Sequence, residues 1–370
     1  MMKILTVIGA RPQFIKAAAV SRIISNKKIQ GFDIEEVIVH TGQHFDEKMS
    51  DIFFEEMEIP RPNYSLGINQ LSHGAMTGQM LEKVEDLLFK EKPDIVLVYG
   101  DTNTTLAGAL AAAKLHIKVA HVEAGLRSYN MLMPEEINRV LTDRISHILF
   151  CPTNQAVENL KKEGYPNLLK NGVIQRVEMV GDVMYDTAIY YNNKIDDKDN
   201  IYARYGVKKG EYHLATIHRA ENTDDGKRLR DIFMALEEIA SDRTIVLPIH
   251  PRTKKILNNL DLRIRNIKLI DPVGYFEMLT LLDGADLVFT DSGGLQKEAY
   301  FFKKFCITLR DETEWVELVE NNVNFLTGAD KDKILDTYNT IKGRSFDLKK
   351  ELYGDGRAAD KIVEILLSYV

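Results

Sequence analysis

Short apolar runs recur along the chain, and most are followed by a longer stretch with mixed apolar and polar positions. Lys3–Ile8, Glu36–His40, Ile95–Tyr99, Val119–Val122 and Ile148–Cys151 are such runs in the first half. Their near-continuous apolar character predicts strands buried on both faces. The segments between them, such as Pro12–Ser25 and Asn103–Leu115, predict helices. A polar, charged stretch follows at Asn192–Asn200 and predicts an exposed loop or helix end. The alternation then restarts with His213–Ile217, Thr244–Pro248, Ile267–Ile270, Leu287–Thr290 and Cys306–Leu309, and Arg357–Tyr369 predicts a last amphipathic helix. The pattern is that of an α/β chain with mostly parallel sheets covered by helices, in two halves that meet near residues 170–185. The halves share an architecture without a residue repeat.

Composition adds limits rather than detail. At 370 residues there is room for roughly two or three domains, each with a core of its own. A hydrophobic content of 45% excludes a disordered chain. With 48 basic and 55 acidic residues the net charge is −7, which argues against bulk nucleic-acid binding. No apolar run approaches the ~20 residues of a membrane helix. Ile4–Ala10 is too short for a signal core and reads as a first strand. Cys151 and Cys306 are the only cysteines, so neither a disulfide framework nor a Cys-rich metal site is expected, and the expected location is the cytoplasm.

The residues with chemical potential fall at the carboxyl ends of predicted strands, where open parallel sheets bind ligands. The first strand runs into Gly9-Ala10-Arg11-Pro12, which is not a GxGxxG turn. Arg11 at a helix start opposes the helix dipole; it is either a surface residue or the partner of a bound anion. Gly100-Asp101-Thr102 and His121-Val122-Glu123 end two further strands, and Glu135-Glu136 follows Pro134 at a helix start. Asp101 alone reads equally as a helix cap, and Glu135 as a dipole partner with Arg139 four residues on. Three carboxylates at neighbouring loops exceed what capping needs, and such crowding prepares a general acid or base. In the second half, His218-Arg219 and His250-Pro251-Arg252 follow strands. Asp291-Ser292-Gly293-Gly294 joins a strand to a helix, either as a plain turn or as a phosphate cradle, with Glu298 one turn further. Arg310-Asp311 follows the next strand. These groups suggest a phosphate-rich nucleotide on the second half and a carboxylate cluster on the first. No Walker motif, HExxH or nucleophile elbow is present.

The ordered set Gly9-Ala10-Arg11-Pro12-Gln13, Lys16, Gly100-Asp101-Thr102, His121-Val122-Glu123-Ala124-Gly125-Leu126-Arg127, Pro134-Glu135-Glu136-Ile137-Asn138-Arg139, Thr216-Ile217-His218-Arg219, Asp291–Glu298 and Arg310-Asp311 closely resembles the non-hydrolysing UDP-N-acetylglucosamine 2-epimerase family over nearly the whole chain. The resemblance implies a GT-B-like fold of two Rossmann-like domains with the active site in the interdomain cleft. It places an N-terminal domain at 1–175, joined by the final helix at 355–370, and a UDP-binding domain at 176–354. Carried over, the catalytic candidates are Asp101, Glu123, Glu135, His218 and Lys16. The substrate-binding candidates are Arg11, Arg139, His218, Ser292, Gly293, Gly294, Glu298 and Arg310. No cofactor and no metal are implied; the partners are a UDP-sugar and a second copy of the chain in a homodimer, with no nucleic acid and no membrane. Gln43 and His44 match the surroundings of the family's second, activating nucleotide-sugar site.

The chain departs from the commonest family pattern at Gln13, where Glu is usual, and at Trp315-Val316, where Arg-Pro is usual. In these positions, in His40–Asp46 and in Asp271–Tyr275, it is more similar to the subgroup acting on UDP-2,3-diacetamido-2,3-dideoxy-D-glucuronate, which supplies surface polysaccharides and glycans. Gln13 would remove one charge from the pocket if it lines it, and Trp315 would leave room for the 3-acetamido group. The alternative is that neither position touches the sugar. A common UDP-N-acetylglucosamine 2-epimerase, a hydrolysing relative, a GT-B glycosyltransferase and a non-catalytic nucleotide-sugar sensor are the rival readings. The family's chemistry is elimination of UDP from C1 with loss of the C2 proton, followed by re-addition.

Overall fold

A computed structural model describes residues 1–43, 61–168, 174–249, 251–258, 260, 262–347 and 350–369, apart from the side chains of Arg11, Pro251, Arg252 and Asn258. His44, Phe45, Asp46 and His250 therefore lie outside the described residues. The chain forms two units, Met1–Thr187 with Glu351–Val370, and Ala188–Lys350.

In the first unit the strands are β1 (Met2–Ile8), β2 (Ile34–His40), β3 (Tyr64–Ser65), β4 (Ile95–Tyr99), β5 (Lys118–Val122), β6 (Ile148–Cys151) and β7 (Arg176–Met179). They pair in the order β3-β2-β1-β4-β5-β6-β7, and every neighbouring pair is parallel. Leu5, Val7, Val37, Val39, Val96, Val98 and Val119 form one core with Ala109, Ala111 and Ala112 of helix Asn103–Lys114. The small residues let that helix lie close to the sheet: a Cβ on Gly108 would meet Val7 at 3.1 Å. The last helix, Ala358–Tyr369, belongs to this unit; the Asp186 carboxylate accepts the Ala359 N–H at 2.7 Å, and the helix packs on helix Arg11–Ile29.

In the second unit β8 (His213–Thr216), β9 (Ile245–Pro248), β10 (Ile267–Ile270), β11 (Leu287–Thr290), β12 (Phe305–Thr308) and β13 (Asn324–Leu326) pair in the order β10-β9-β8-β11-β12-β13. In both sheets the order reverses beside the first strand, between β1 and β4 and between β8 and β11. Crossovers leave opposite sides of the sheet there, so a crevice opens at the strands' carboxyl ends. Arg11, Asp101, His218 and Ser292 all follow these four strands.

Three strands have no counterpart in the apolar pattern. β3 has two residues and β13 three, too few for a periodic signal. β7, Arg-Val-Glu-Met, is half-buried throughout, so its charged positions hide it. Because β7 belongs to the first sheet, the first unit runs to Thr187 rather than ending at 175. The polar run at 192–200 spans the end of helix Val183–Lys194 and the start of helix Lys198–Arg204, which Asp197 caps by accepting the Asn200 N–H at 3.0 Å.

Candidate active site

At the end of β5 the backbone turns sharply. The N–H groups of Glu123 and Ala124 both donate to the Phe150 carbonyl, at 3.1 and 3.0 Å. Glu123 thereby takes φ +74°, a left-handed conformation that costs a residue with a Cβ about 1–2 kcal/mol. The turn aims its carboxylate at the Lys16 ammonium, with which it forms a short ion pair in which each side chain is about nine-tenths buried. Gly100 lies against this pair: a Cβ on it would come within 3.3 Å of both charged groups, and its φ is +64°.

Asp101, the next residue, accepts from Arg139 Nη2 and Nε at 2.8 and 3.1 Å, and its backbone carbonyl accepts from Asn138 Nδ2 at 2.9 Å. The other partner of Arg139 is Glu136, not Glu135. Glu136 is buried and also accepts from the N–H groups of Ser128 and Tyr129, both at 2.9 Å. Burial alone would raise its pKa, but the hydrogen bonds from Ser128, Tyr129 and Arg139 outweigh it and hold the carboxyl below its usual range. Glu135 is exposed and joins none of these bonds. The structure thus gathers Lys16 with Glu123, and Arg139 with Asp101, and leaves Glu135 facing solvent on the first turn of helix Pro134–Ile145.

A buried charged network stands behind these loops. One nitrogen of His121 lies 2.7 Å from the Gly100 carbonyl and the other 2.7 Å from the Asp143 carboxylate. Asp143 also accepts from Arg127 Nη1 at 2.7 Å and from the Gly125 N–H at 3.1 Å, and Arg127 reaches Glu163 at 2.7 Å. Burial pushes the Asp143 pKa up, but His121 and Arg127 together bring it below the usual value. His121 therefore ties the peptide before Asp101 to a fixed core of charge.

In the second unit the fully buried Asp291 is the organising group. Its carboxylate accepts the N–H groups of His218 and Arg219 at 3.1 and 3.0 Å and the Asn222 amide at 3.2 Å, and lies 3.2 Å from His218 Nδ1. His218 is thereby held with its other ring nitrogen directed away from Asp291, and its side chain is 54% exposed.

Helix Gly293–Phe301 starts directly after. Ser292 caps it, its Oγ accepting the Leu295 N–H at 3.4 Å. The N–H groups of Gly293 and Gly294 have no hydrogen-bond partner among the described residues. A Cβ on Gly293 would collide with the Glu314 carboxylate, which pairs with Arg310 Nη1 at 2.8 Å. Burial raises the Glu314 pKa, but Arg310 outweighs it and the net shift is downward. Arg310 is 7% exposed; its Nε makes no hydrogen bond among the described residues and lies 3.9 Å from the Glu221 carboxylate. Two free N–H groups at a helix N-terminus beside a buried guanidinium suit a phosphate ligand. Glu298 is buried on the second turn of that helix.

Several expectations need correction. Gln13 is 1% exposed and does not line a pocket. Its Oε1 accepts the N–H groups of Gly9 and Ala10, both at 2.9 Å, and its Nε2 donates to the Tyr99 carbonyl and Thr105 Oγ1, at 2.8 and 3.0 Å. It ties the end of β1 to the end of β4. Trp315 is 6% exposed and packs beneath the Ser-Gly-Gly turn, so it opens no space for a sugar substituent. Gln43 Oε1 accepts from Thr104 N and Oγ1, at 3.1 and 2.9 Å; its supposed neighbour His44 lies outside the described residues. The side chain of Arg11 does so too. Asp291, Glu136 and Asn138 stand in motifs already singled out but are not among the site residues expected from sequence. Their role depends on which side chains face inward at a turn.

The model of the UDP-N-acetylglucosamine 2-epimerase family matches residues 27–367. The chain is 52% identical over 366 residues to the UDP-2,3-diacetamido-2,3-dideoxy-D-glucuronate 2-epimerase of Pseudomonas aeruginosa, covering 99% of each. It is also 52% identical, over 99% of each chain, to a UDP-N-acetylglucosamine 2-epimerase homolog of Methanococcus maripaludis. Among solved structures it is similar to the Methanocaldococcus jannaschii UDP-GlcNAc 2-epimerase in complex with UDP-GlcNAc and UDP. That similarity has a TM-score of 0.83 and 43% identity, and covers 99% of this chain and 100% of that one.

Proposed function

This chain belongs to the UDP-N-acetylglucosamine 2-epimerase family, and on that premise we propose that it inverts C2 of UDP-2,3-diacetamido-2,3-dideoxy-D-glucuronate to give the mannuronate epimer for surface polysaccharide or glycan synthesis. The observation that carries the substrate is the full-length 52% identity to the Pseudomonas aeruginosa enzyme.

The C2 proton of such a sugar is not activated by a carbonyl, so it leaves most readily in an elimination. A base takes the proton from C2, the C1–O bond breaks, and UDP departs with the bonding pair, leaving a C1–C2 double bond. A proton then returns to the opposite face of C2 and a UDP oxygen adds to C1. Two proton carriers are needed for the two faces, and Asp101, Glu123, Glu135 and His218 are the candidates. Lys16 and Arg139 hold Glu123 and Asp101 in place. The departing diphosphate needs donors, and the free N–H groups of Gly293 and Gly294 with Arg310 supply them. Ser292 fixes that turn, and Glu298 lies one helical turn away on the ribose side. Arg11 is assigned to the same nucleotide by the family motif.

We also read the chain as a cytoplasmic homodimer. Among the described residues no helix is long and apolar enough to cross a membrane, and both cysteines are free and buried. Exposed Met133, Ile137 and Leu141, four residues apart on helix Pro134–Ile145 and its cap, give a contact face continuous with exposed Met131 and Leu132. Sedimentation equilibrium checks this; a monomer at micromolar concentration would contradict it.

The test of substrate is the ratio of kcat/KM for the diacetamido uronate to that for UDP-N-acetylglucosamine. A ratio above ten is expected. A ratio of one or less would move the chain to the UDP-N-acetylglucosamine reaction, and binding of both without turnover would make it a sensor.

A further inference from the structure

Trp315 is the only tryptophan of the chain, and it is 6% exposed. Its indole Nε1–H donates to the Gly293 carbonyl at 2.9 Å. The ammonium of Lys297 lies over its ring, 4.2 Å from the centroid, and Lys297 is itself 4% exposed. A second tie joins the same segments: Thr313 Oγ1 bonds Gln296 Oε1 at 2.7 Å and accepts the Trp315 N–H at 3.2 Å. The loop after β12 is therefore stitched to the first turns of helix Gly293–Phe301 at two places.

We infer that Trp315 is a positioning residue of the nucleotide site, acting through the Gly293–Gly294 peptide and through Lys297. The inference rests on the reading of the Ser292–Gly294 turn as the diphosphate cradle. The carbonyl that accepts the indole N–H and the N–H of Gly294 belong to one peptide group. A donor on the carbonyl side fixes the plane of that peptide and polarises it, which makes the opposite N–H a stronger donor. That N–H is one of the two left unpaired at the helix N-terminus.

Lys297 needs an explanation of its own. A buried cation in the second turn of a helix opposes the helix dipole. The face of an indole offsets part of that cost, because its π electrons attract a desolvated cation. The ring that holds the Gly293 carbonyl thereby also holds the Lys297 ammonium, so the two are coupled through one side chain. An arginine at 315 would instead set a second cation against Lys297 and lose the bond to Gly293 in this form.

Because Trp315 is the sole indole, its emission reads this contact without interference. UDP titrated into the wild-type protein should change the intensity or wavelength of that emission, saturating at the Kd given by calorimetry. Trp315→Phe, which keeps a ring and loses the N–H, should raise the calorimetric Kd for UDP about three- to tenfold at a temperature well below its melting point, in line with one lost hydrogen bond. Lys297→Met should do the same, and Lys297→Arg should restore binding to within twofold. The proposal is overturned if UDP binds, Ser292→Ala weakens that binding, and yet the emission stays flat and Trp315→Phe binds within twofold of wild type. If Trp315→Phe does not fold, the wild-type emission and the Lys297 pair decide. Absence of any UDP binding, or Ser292→Ala binding UDP as well as wild type, would instead remove the nucleotide reading on which the proposal stands.

Discussion

Glu123 combines a functional carboxylate with a strained backbone, and two substitutions separate them. Glu123→Gly and Glu123→Ala both take the carboxylate from Lys16, so the loss of that ion pair cancels between them. They differ in what φ +74° costs. Alanine in the left-handed region bears about 1–2 kcal/mol of steric strain, and glycine bears none. Glycine loses more chain entropy on folding, by about 0.4–1 kcal/mol. The balance favours glycine by about 1 kcal/mol, the reverse of the order expected in a helix or strand. For a unit of this size that is a difference of about 2–4 °C in melting temperature. Turnover should fall ~10²–10⁴-fold in both, as removal of an acid–base group does. Thermal melts by circular dichroism and epimerisation rates by NMR measure the two effects. If alanine melts higher than glycine, the backbone argument is wrong. If either variant keeps more than a tenth of wild-type turnover, the carboxylate does not act in the reaction.

Asp186, buried beneath the last helix, has its pKa raised to about 6, chiefly by burial. Its contribution to stability is full below about pH 4, where it is protonated in both folded and unfolded chains, and is lost as pH rises through about 6. Asp186→Asn should therefore gain on wild type between those values, by on the order of 3 kcal/mol; equal differences in melting temperature at pH 4 and pH 7 would refute this. Gly293→Ala should push Glu314 aside and weaken UDP by about tenfold in calorimetry; unchanged affinity would show that the turn does not hold the nucleotide. Asp291→Asn should lower kcat ~10²-fold with a native circular dichroism spectrum, since it loses the carboxylate that orients His218; near-normal kcat would leave Asp291 only structural.

Much of the architecture is legible because parallel strands buried on both faces write themselves as apolar runs. β1, β4, β5 and β6 are of this kind. β7 is not, since an edge strand with charged, half-buried positions breaks the pattern, and the boundary of the first unit moves with it. The site is legible as motifs and obscure as contacts. Spacing offers Glu135 and Glu136 to Arg139 at i+4 and i+3 with little to choose between them, and only the helix phase sends Glu136 inward to the guanidinium. Gln13 and Trp315 stand beside binding motifs, so they suggest contact with the sugar. Their side chains turn away from solvent to bond backbone carbonyls, where they hold loops in place instead.

The most direct test of the reaction is made in heavy water. The protein is incubated with UDP-2,3-diacetamido-2,3-dideoxy-D-glucuronate and the sugar nucleotides are followed by NMR. Elimination and re-addition predict the mannuronate epimer, still joined to UDP, with solvent deuterium at C2. A mannuronate product that keeps its original hydrogen at C2 would contradict the account.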